Sequence, residues 1–207
     1  MFGYGESLFR LIIGVQLAAM GGVRAYYSAP RSKQGDEPGS RPRGESPWLT
    51  ATLGILALLH FGGVFVYLAN PSFLAWSTFE AAEPIQRIGI LMSCLGAVGE
   101  IWAAIALGAS YTPLLTVAEE RVLVEAGPYR WIRHPLYAFF LPLMAGWGLA
   151  ARNWFILGTG TILMVVLTTV RVPLEEAMML EAFGESYRRY MAHTGRFAPR
   201  LRRGRGT

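Results

Sequence analysis

Apolar residues along this chain gather into long runs separated by short polar stretches. Leu8 to Tyr27, Leu49 to Ala69, Ile85 to Gly108, Leu136 to Ala151 and Trp154 to Val172 are the five runs. A helix rises about 1.5 Å per residue, so about 20 apolar residues cross a hydrocarbon core. The pattern predicts an all-α membrane bundle of about five transmembrane helices, the fourth being the shortest. Arg152 and Asn153 form a tight turn that makes runs four and five an antiparallel hairpin. In the first run Gly14, Ala18 and Gly22 recur every four positions, which predicts tight helix packing on that face. The run reads as a span rather than a cleaved leader, because no basic segment precedes it and Glu6 is acidic.

The polar stretches differ in character. Residues 29–47 are rich in Pro, Gly and Ser, which break helix and strand, so they read as a linker. Residues 70–84 hold acids and aromatics but no Lys or Arg, whereas 110–135 and the tail from 173 onward hold many. Past the last run, Glu176, Leu180, Phe183, Tyr187 and Tyr190 step by four and three, one stripe of a continuing helix, with Gly184 a candidate C-cap. Two parts follow: 1–109, N-terminal spans with the 29–47 loop, and 110–207, a half carrying two spans and the polar clusters.

Composition narrows the class. Hydrophobic residues make up 53% of the 207 and charged ones 16%, too apolar a balance for an ordinary soluble domain. The net charge of +5 comes from cations that sit beside apolar runs, which suits anionic lipid headgroups and not nucleic acid. Arg200, Arg202, Arg203 and Arg205 form a basic end of the same kind. Cations also alternate with the spans, so the positive-inside rule places the N-terminus outside and the tail in the cytoplasm. The expected location is a bacterial inner (plasma) membrane. Cys94 lies alone in an apolar run, and the three histidines lie far apart, so no metal site is expected. His60 reads as a packed histidine bonded to a neighbouring helix. Glu100, an acid at membrane depth, is costly there and needs a pocket or a partner, Arg24 being one candidate.

Two clusters carry the candidate chemistry. The first is Gly127-Pro-Tyr-Arg-Trp-Ile-Arg-His-Pro-Leu-Tyr137, directly before the fourth run. The second is Arg171-Val-Pro-Leu-Glu175-Glu176, at the end of the fifth. Pro135 suits a first helical turn, where its missing N–H is not needed. That helix N-terminus, with Arg133, attracts a carboxylate. Glu175 and Glu176 suit ribose hydroxyls or an amino group. If the clusters meet at one membrane face, they suit a zwitterionic nucleoside cofactor. Arginine and glutamate at a membrane edge also form purely structural ion pairs, and the residues alone leave both readings open.

The first cluster, then Glu175-Glu176, Phe183-Gly184-x-x-Tyr187-x-x-Tyr190 and Arg196-Phe-Ala-Pro199, together resemble the isoprenylcysteine carboxyl methyltransferase family, with a looser likeness to phospholipid methyltransferases. The resemblance covers roughly residues 110–200. It implies S-adenosyl-L-methionine as methyl donor. It also implies cofactor contacts from His134, Tyr137, Glu175 and Glu176, helped by Val124, Gly127, Tyr129 and Pro135. Arg133 and Arg196 would face the acceptor, a lipophilic or prenylated carboxylate entering from the bilayer. An amine or phenol acceptor would instead need a base, for which Glu100, Glu175 and Glu176 are candidates. Two alternatives stand beside it: an NADPH-dependent membrane reductase resembling sterol reductases, with Arg121 and Arg130 near the phosphate, and a non-catalytic membrane protein that keeps the fold.

Overall fold

In the computed structural model, residues 4–28, 46–108 and 123–200 are described. Their elements, in chain order, are α1 (Tyr4–Ser28), α2 (Pro47–Ala69), a 3-10 segment (Pro71–Ser77), α3 (Glu83–Leu107), a 3-10 turn (Gly127–Arg130), α4 (Pro135–Ala150), α5 (Trp154–Val166), a π turn (Leu167–Arg171), α6 (Val172–Phe183) and α7 (Glu185–His193). Four helical stretches are long and apolar enough to cross a membrane, the last being the continuous Trp154–Phe183. With 16 residues, α4 is the shorter apolar helix that the fourth run predicted.

Local signals explain where these elements begin and end. The Ser46 side chain caps α2 by accepting from the Leu49 amide, and Pro47 occupies the first turn. Pro47, the last residue drawn in the 29–47 linker, is already helical, while 29–45 lie outside the described residues. Asn153 caps α5 through the Ile156 amide and also donates to the Leu74 carbonyl and Ser77 Oγ. It thereby joins the α4–α5 turn to the 70–82 connection, where the Phe79 amide also donates to the Arg152 carbonyl. Arg10 donates to the Leu68 carbonyl. The start of α1, the end of α2, the 70–82 connection and the α4–α5 turn therefore meet at one end of the bundle. The polar clusters lie at the other.

The packing is small inside and large outside. On α3, Gly89, Ser93, Gly96, Ala97, Glu100 and Ala103 are buried, while Leu91, Leu95 and Val98 are exposed. A methyl at Gly96 would lie 2.6 Å from the Leu143 amide nitrogen, and one at Gly89 would lie 2.6 Å from that of Ala150. The α3–α4 seam is therefore backbone against backbone, the close approach that small residues allow in lipid. This seam joins the two halves drawn at residue 109, which share one core. The tight packing expected at Gly14, Ala18 and Gly22 does not occur on that face: nothing lies within 4 Å of a methyl at Gly14 or Gly22. Small residues permit close approach but do not compel it, and α1 instead turns Phe9, Ile13, Gln16 and Met20 inward.

Several polar groups in the core find partners on neighbouring helices. Trp147 donates to Gln16 at 2.7 Å, and Gln16 donates on to Ser93 at 3.3 Å. His60 stacks on Trp147 and its Nδ1 lies 3.3 Å from the Thr159 hydroxyl, the helix-to-helix bond expected of it. Glu100 pairs with Arg24.

Gly96→Ala should lower stability by about 1–3 kcal/mol, because backbone cannot yield to the added methyl. Gly14→Ala should leave it unchanged or raise it by up to about 1 kcal/mol, through helix propensity alone. Thermal unfolding of the purified protein in detergent compares the two.

Candidate active site

The end of the bundle opposite the α4–α5 turn is built from three segments. The helical course does not stop at Val166, where α5 ends. It passes through the π turn 167–171 into α6, where the Val172 amide bonds to the Leu167 carbonyl. Pro173 follows directly. A proline inside a helix removes a donor and crowds the carbonyl four residues back, and the wider turn before it makes that room. Glu175 and Glu176 stand in the first turns after this break, one half-buried and the other buried.

Residues 131–134 form the second segment, which lies along the third, residues 194–196. The Gly195 amide donates to the Trp131 carbonyl, the Arg133 amide to the Gly195 carbonyl, and the His134 amide to the Arg196 carbonyl. The Tyr190 hydroxyl donates to the Tyr129 carbonyl at 2.7 Å, which fastens α7 beneath the 3-10 turn. Gly184 separates α6 from α7 at φ 51°, the C-cap its position predicted.

These segments bring the two polar clusters into contact. Arg133 Nε donates to Glu176 Oε1 at 3.0 Å, and its Nη1 donates to the Thr194 carbonyl at 2.6 Å. His134 Nε2 lies 3.3 Å from Glu176 Oε1, and its Nδ1 lies 3.6 Å from Glu175 Oε2. The Tyr137 hydroxyl donates to Glu175 Oε1 at 2.6 Å, and Arg171 Nε donates to the same atom at 3.1 Å. Arg196 grips both oxygens of Glu176. Two carboxylates thus collect three guanidinium groups, one imidazole and one phenol.

The remaining expected positions sit around this centre. Tyr129 is buried, Val124 is half-buried, and Pro135 opens α4 as its first residue. Gly127 has φ 57°, and a methyl there would come 2.7 Å from Ala106 Cβ. This turn therefore packs on the end of α3. Arg133 was expected to face an acceptor. Its side chain is only 8% exposed and faces Glu176 and backbone carbonyls, the ion pair that the residues alone left open. Arg196, by contrast, is 44% exposed. Arg171 was named in the second cluster without a role of its own, and Thr194 was not singled out. The four-residue spacing of Arg171 and Glu175 on a helix was a legible signal. The Thr194 carbonyl left none, because a backbone acceptor has no residue type. Arg121 lies outside the described residues.

Burial alone would push the His134 imidazole down. Hydrogen bonds and charge from Glu175 and Glu176 outweigh that, so its pKa lies above the ordinary histidine range. Burial pushes the Tyr187 and Tyr190 phenols up, and they stay protonated at neutral pH, Tyr190 as a donor.

With this geometry in place, similarity to known proteins becomes informative. Residues 88–181 match the sequence profile of the isoprenylcysteine carboxyl methyltransferase (ICMT) family. Over that segment the chain is ICMT-like in sequence. Protein-S-isoprenylcysteine O-methyltransferase of Schizosaccharomyces pombe is 28% identical over 154 residues, 71% of this chain and 64% of the relative. Methanethiol S-methyltransferase of Pseudomonas deceptionensis is 37% identical over 83 residues, 38% of this chain and 29% of that protein. This chain thus spans less than two thirds of the length of these relatives. The solved structure of a eukaryotic intramembrane Ras methyltransferase, itself an ICMT, aligns with TM-score 0.55 and 22% identity, covering 91% of this chain and 66% of its own. The protein therefore has the helical membrane fold of the ICMT structure and is an integral membrane protein.

A pKa raised by folding stabilises the fold when the group is protonated. The contribution of His134 should be complete below about pH 6.5, its ordinary value, and fade as pH rises through the raised one. Melting temperature should fall across that window, and His134→Gln should flatten the fall. Separately, a methyl at Gly195 would overlap the Ala198 carbonyl. Gly195→Ala should loosen the 194–196 segment while the helix content, read by circular dichroism, stays unchanged.

Proposed function

We propose that the protein is an integral-membrane S-adenosylmethionine-dependent methyltransferase acting on a lipophilic acceptor, in the first place an isoprenylcysteine-like carboxylate. The observation that carries this reading is the meeting of Glu175 and Glu176 with Arg133, His134 and Tyr137 at one end of the bundle. The chemistry of that donor set fits the cofactor. Two carboxylates match its ribose hydroxyls and ammonium, and arginine matches its carboxylate. When bound, S-adenosylmethionine supplies an electrophilic methyl on a sulfonium. Glu175, Glu176, His134 and Tyr137 would hold it, with Val124, Gly127, Tyr129 and Pro135 forming the surrounding wall.

The chain's own contribution is orientation and exclusion of water. A carboxylate acceptor is already a nucleophile, so no side chain has to remove a proton. Correct placement of the reacting groups then supplies the rate. Arg196, half-exposed beside Glu176, faces the acceptor in this reading. Arg133, enclosed by Glu176 and the 191–194 carbonyls, sets the position of Glu176. By the positive-inside rule this end faces the cytoplasm, where the cofactor is soluble. The methanethiol relative favours a second acceptor class, a thiol, for which Glu175 stands as candidate base.

Calorimetry should show that the purified protein binds S-adenosylmethionine or its demethylated product. His134→Ala and Glu176→Ala should weaken that binding at least about tenfold, the effect of one lost charged hydrogen bond. Binding of NADPH with none of the nucleoside would replace this reading with the reductase one.

A further inference from the structure

The end of the bundle opposite the polar clusters carries a cleft that the machinery above does not use. Glu80, Ala81, Ala82 and Arg152 line it, around a volume of about 430 Å³. Small-molecule sites fall in the range of about 300–1,000 Å³. The cleft forms where two connections meet. Thr78 bridges Asn153, and the Phe79 amide donates to the Arg152 carbonyl at 2.9 Å. The next residue, Glu80, is thereby carried to the α4–α5 turn, and Ala82 follows as the N-cap of α3. An acid and a base thus line one opening. Both are exposed, and neither side chain makes a hydrogen bond or an ion pair among the described residues. The charge of Arg152 reaches Glu6 of α1, but the two form no ion pair. The neighbouring Glu83 and Arg87 are paired with each other at 2.8 Å.

Stability does not account for Arg152. Among the described residues it is the one non-glycine residue with a positive φ, at 49°. Glycine adopts such a conformation without a Cβ penalty, and a long side chain does not. The turn is held by backbone alone: the Arg152 amide donates to the Leu149 carbonyl at 3.1 Å, and its carbonyl accepts from Phe79. A strained residue whose side chain bonds nothing within the chain points to a partner outside it. The surroundings indicate which. Trp76 and Trp154 are exposed and pack edge to face, with centroids 5.1 Å apart, and Phe73 is exposed on the same 3-10 segment as Trp76. Tryptophans gather at the headgroup level of a bilayer. Trp154 is two residues from Arg152, so the cleft opens at that level.

We propose that this cleft binds the headgroup of a phospholipid that carries a primary amine, the phosphatidylethanolamine class. The phosphate meets the Arg152 guanidinium, and the ammonium meets the Glu80 carboxylate. Both are hydrogen bonds between ions, the stronger kind. The bound lipid lies at the far end from Glu176, so it is a ligand of the bundle and not the acceptor. The assignment stands apart from the methyltransferase reading.

The test follows the melting temperature of the full-length protein in detergent as lipid is added, because a ligand of the folded state raises it. The probes are phosphatidylethanolamine, phosphatidylcholine and phosphatidylglycerol with the same short chains, and glycerophosphoethanolamine, which has no chains. Phosphatidylethanolamine should act at a concentration about tenfold lower, or less, than either other lipid, one hydrogen bond to a charge being lost in each. Phosphatidylcholine has no N–H for Glu80, and phosphatidylglycerol has no cation. Arg152→Gly should weaken the response to phosphatidylethanolamine about tenfold without lowering the lipid-free melting temperature. Glu80→Gln should bring phosphatidylethanolamine and phosphatidylcholine together. An equal response to the three lipids overturns the proposal, as does an unchanged response in Arg152→Gly. A marked fall in the lipid-free melting temperature of Arg152→Gly would make the side chain a structural one and overturn it too. Equal potency of glycerophosphoethanolamine would assign the cleft to a soluble phosphoamine instead of a lipid.

Discussion

Glu176 is the constraint on which this end of the molecule depends. A buried carboxylate is tolerated only when its charge is met by partners in place. Arg133 and His134 reach it from the residues before α4, and Arg196 reaches it from the segment after α7. One side chain therefore holds together segments that are 20 and 43 positions away in the chain. The backbone pairing of 131–134 with 195–196 aligns those partners before their side chains engage. The π turn at 167–171 carries the same function from the other side: it lets one helical course accept Pro173 and still aim both glutamates inward.

The rest of the bundle supplies the frame through an inverted arrangement. In lipid, apolar side chains gain little by leaving the solvent, so packing falls to small residues and to internal hydrogen bonds. Gly89 and Gly96 against Leu143 and Ala150 seat α4 directly on α3. Trp147, Gln16 and Ser93 bond α4, α1 and α3 across the core. Because α4 begins at Pro135, immediately after His134, the α3–α4 seam also fixes the depth at which His134 and Tyr137 sit.

Much of this was legible in the sequence, for physical reasons. Apolar run length follows from bilayer thickness, so four of the five runs came out within a few residues of the observed helix ends, while the fifth continues through the π turn to Phe183. Gly184 was readable as a cap because only a positive φ rewards glycine there. The Arg24–Glu100 pair was readable because an acid at membrane depth demands a partner. What stayed hidden depends on rotation and on backbone. Gly14, Ala18 and Gly22 marked a possible contact face, but only the competing face of Phe9, Ile13 and Gln16 decided which way α1 turned. Arg133 had the chemistry to meet an acceptor or an internal carboxylate. The choice was made by the carbonyls of Met191 and Thr194, which no residue letter announces.

The cations of this protein divide by exposure, and that division bears on the chemistry. Arg133 is enclosed and has its partners within the chain. Arg196 is half-exposed at the rim, and Arg24 is partly exposed over the ring of Phe140. An acceptor that is both acidic and lipophilic has to keep its tail in hydrocarbon while its head loses water. A cation reached from within the membrane lowers the cost of that step, and a cation at the rim meets the head where the two polar clusters join. A soluble acid would need only the rim.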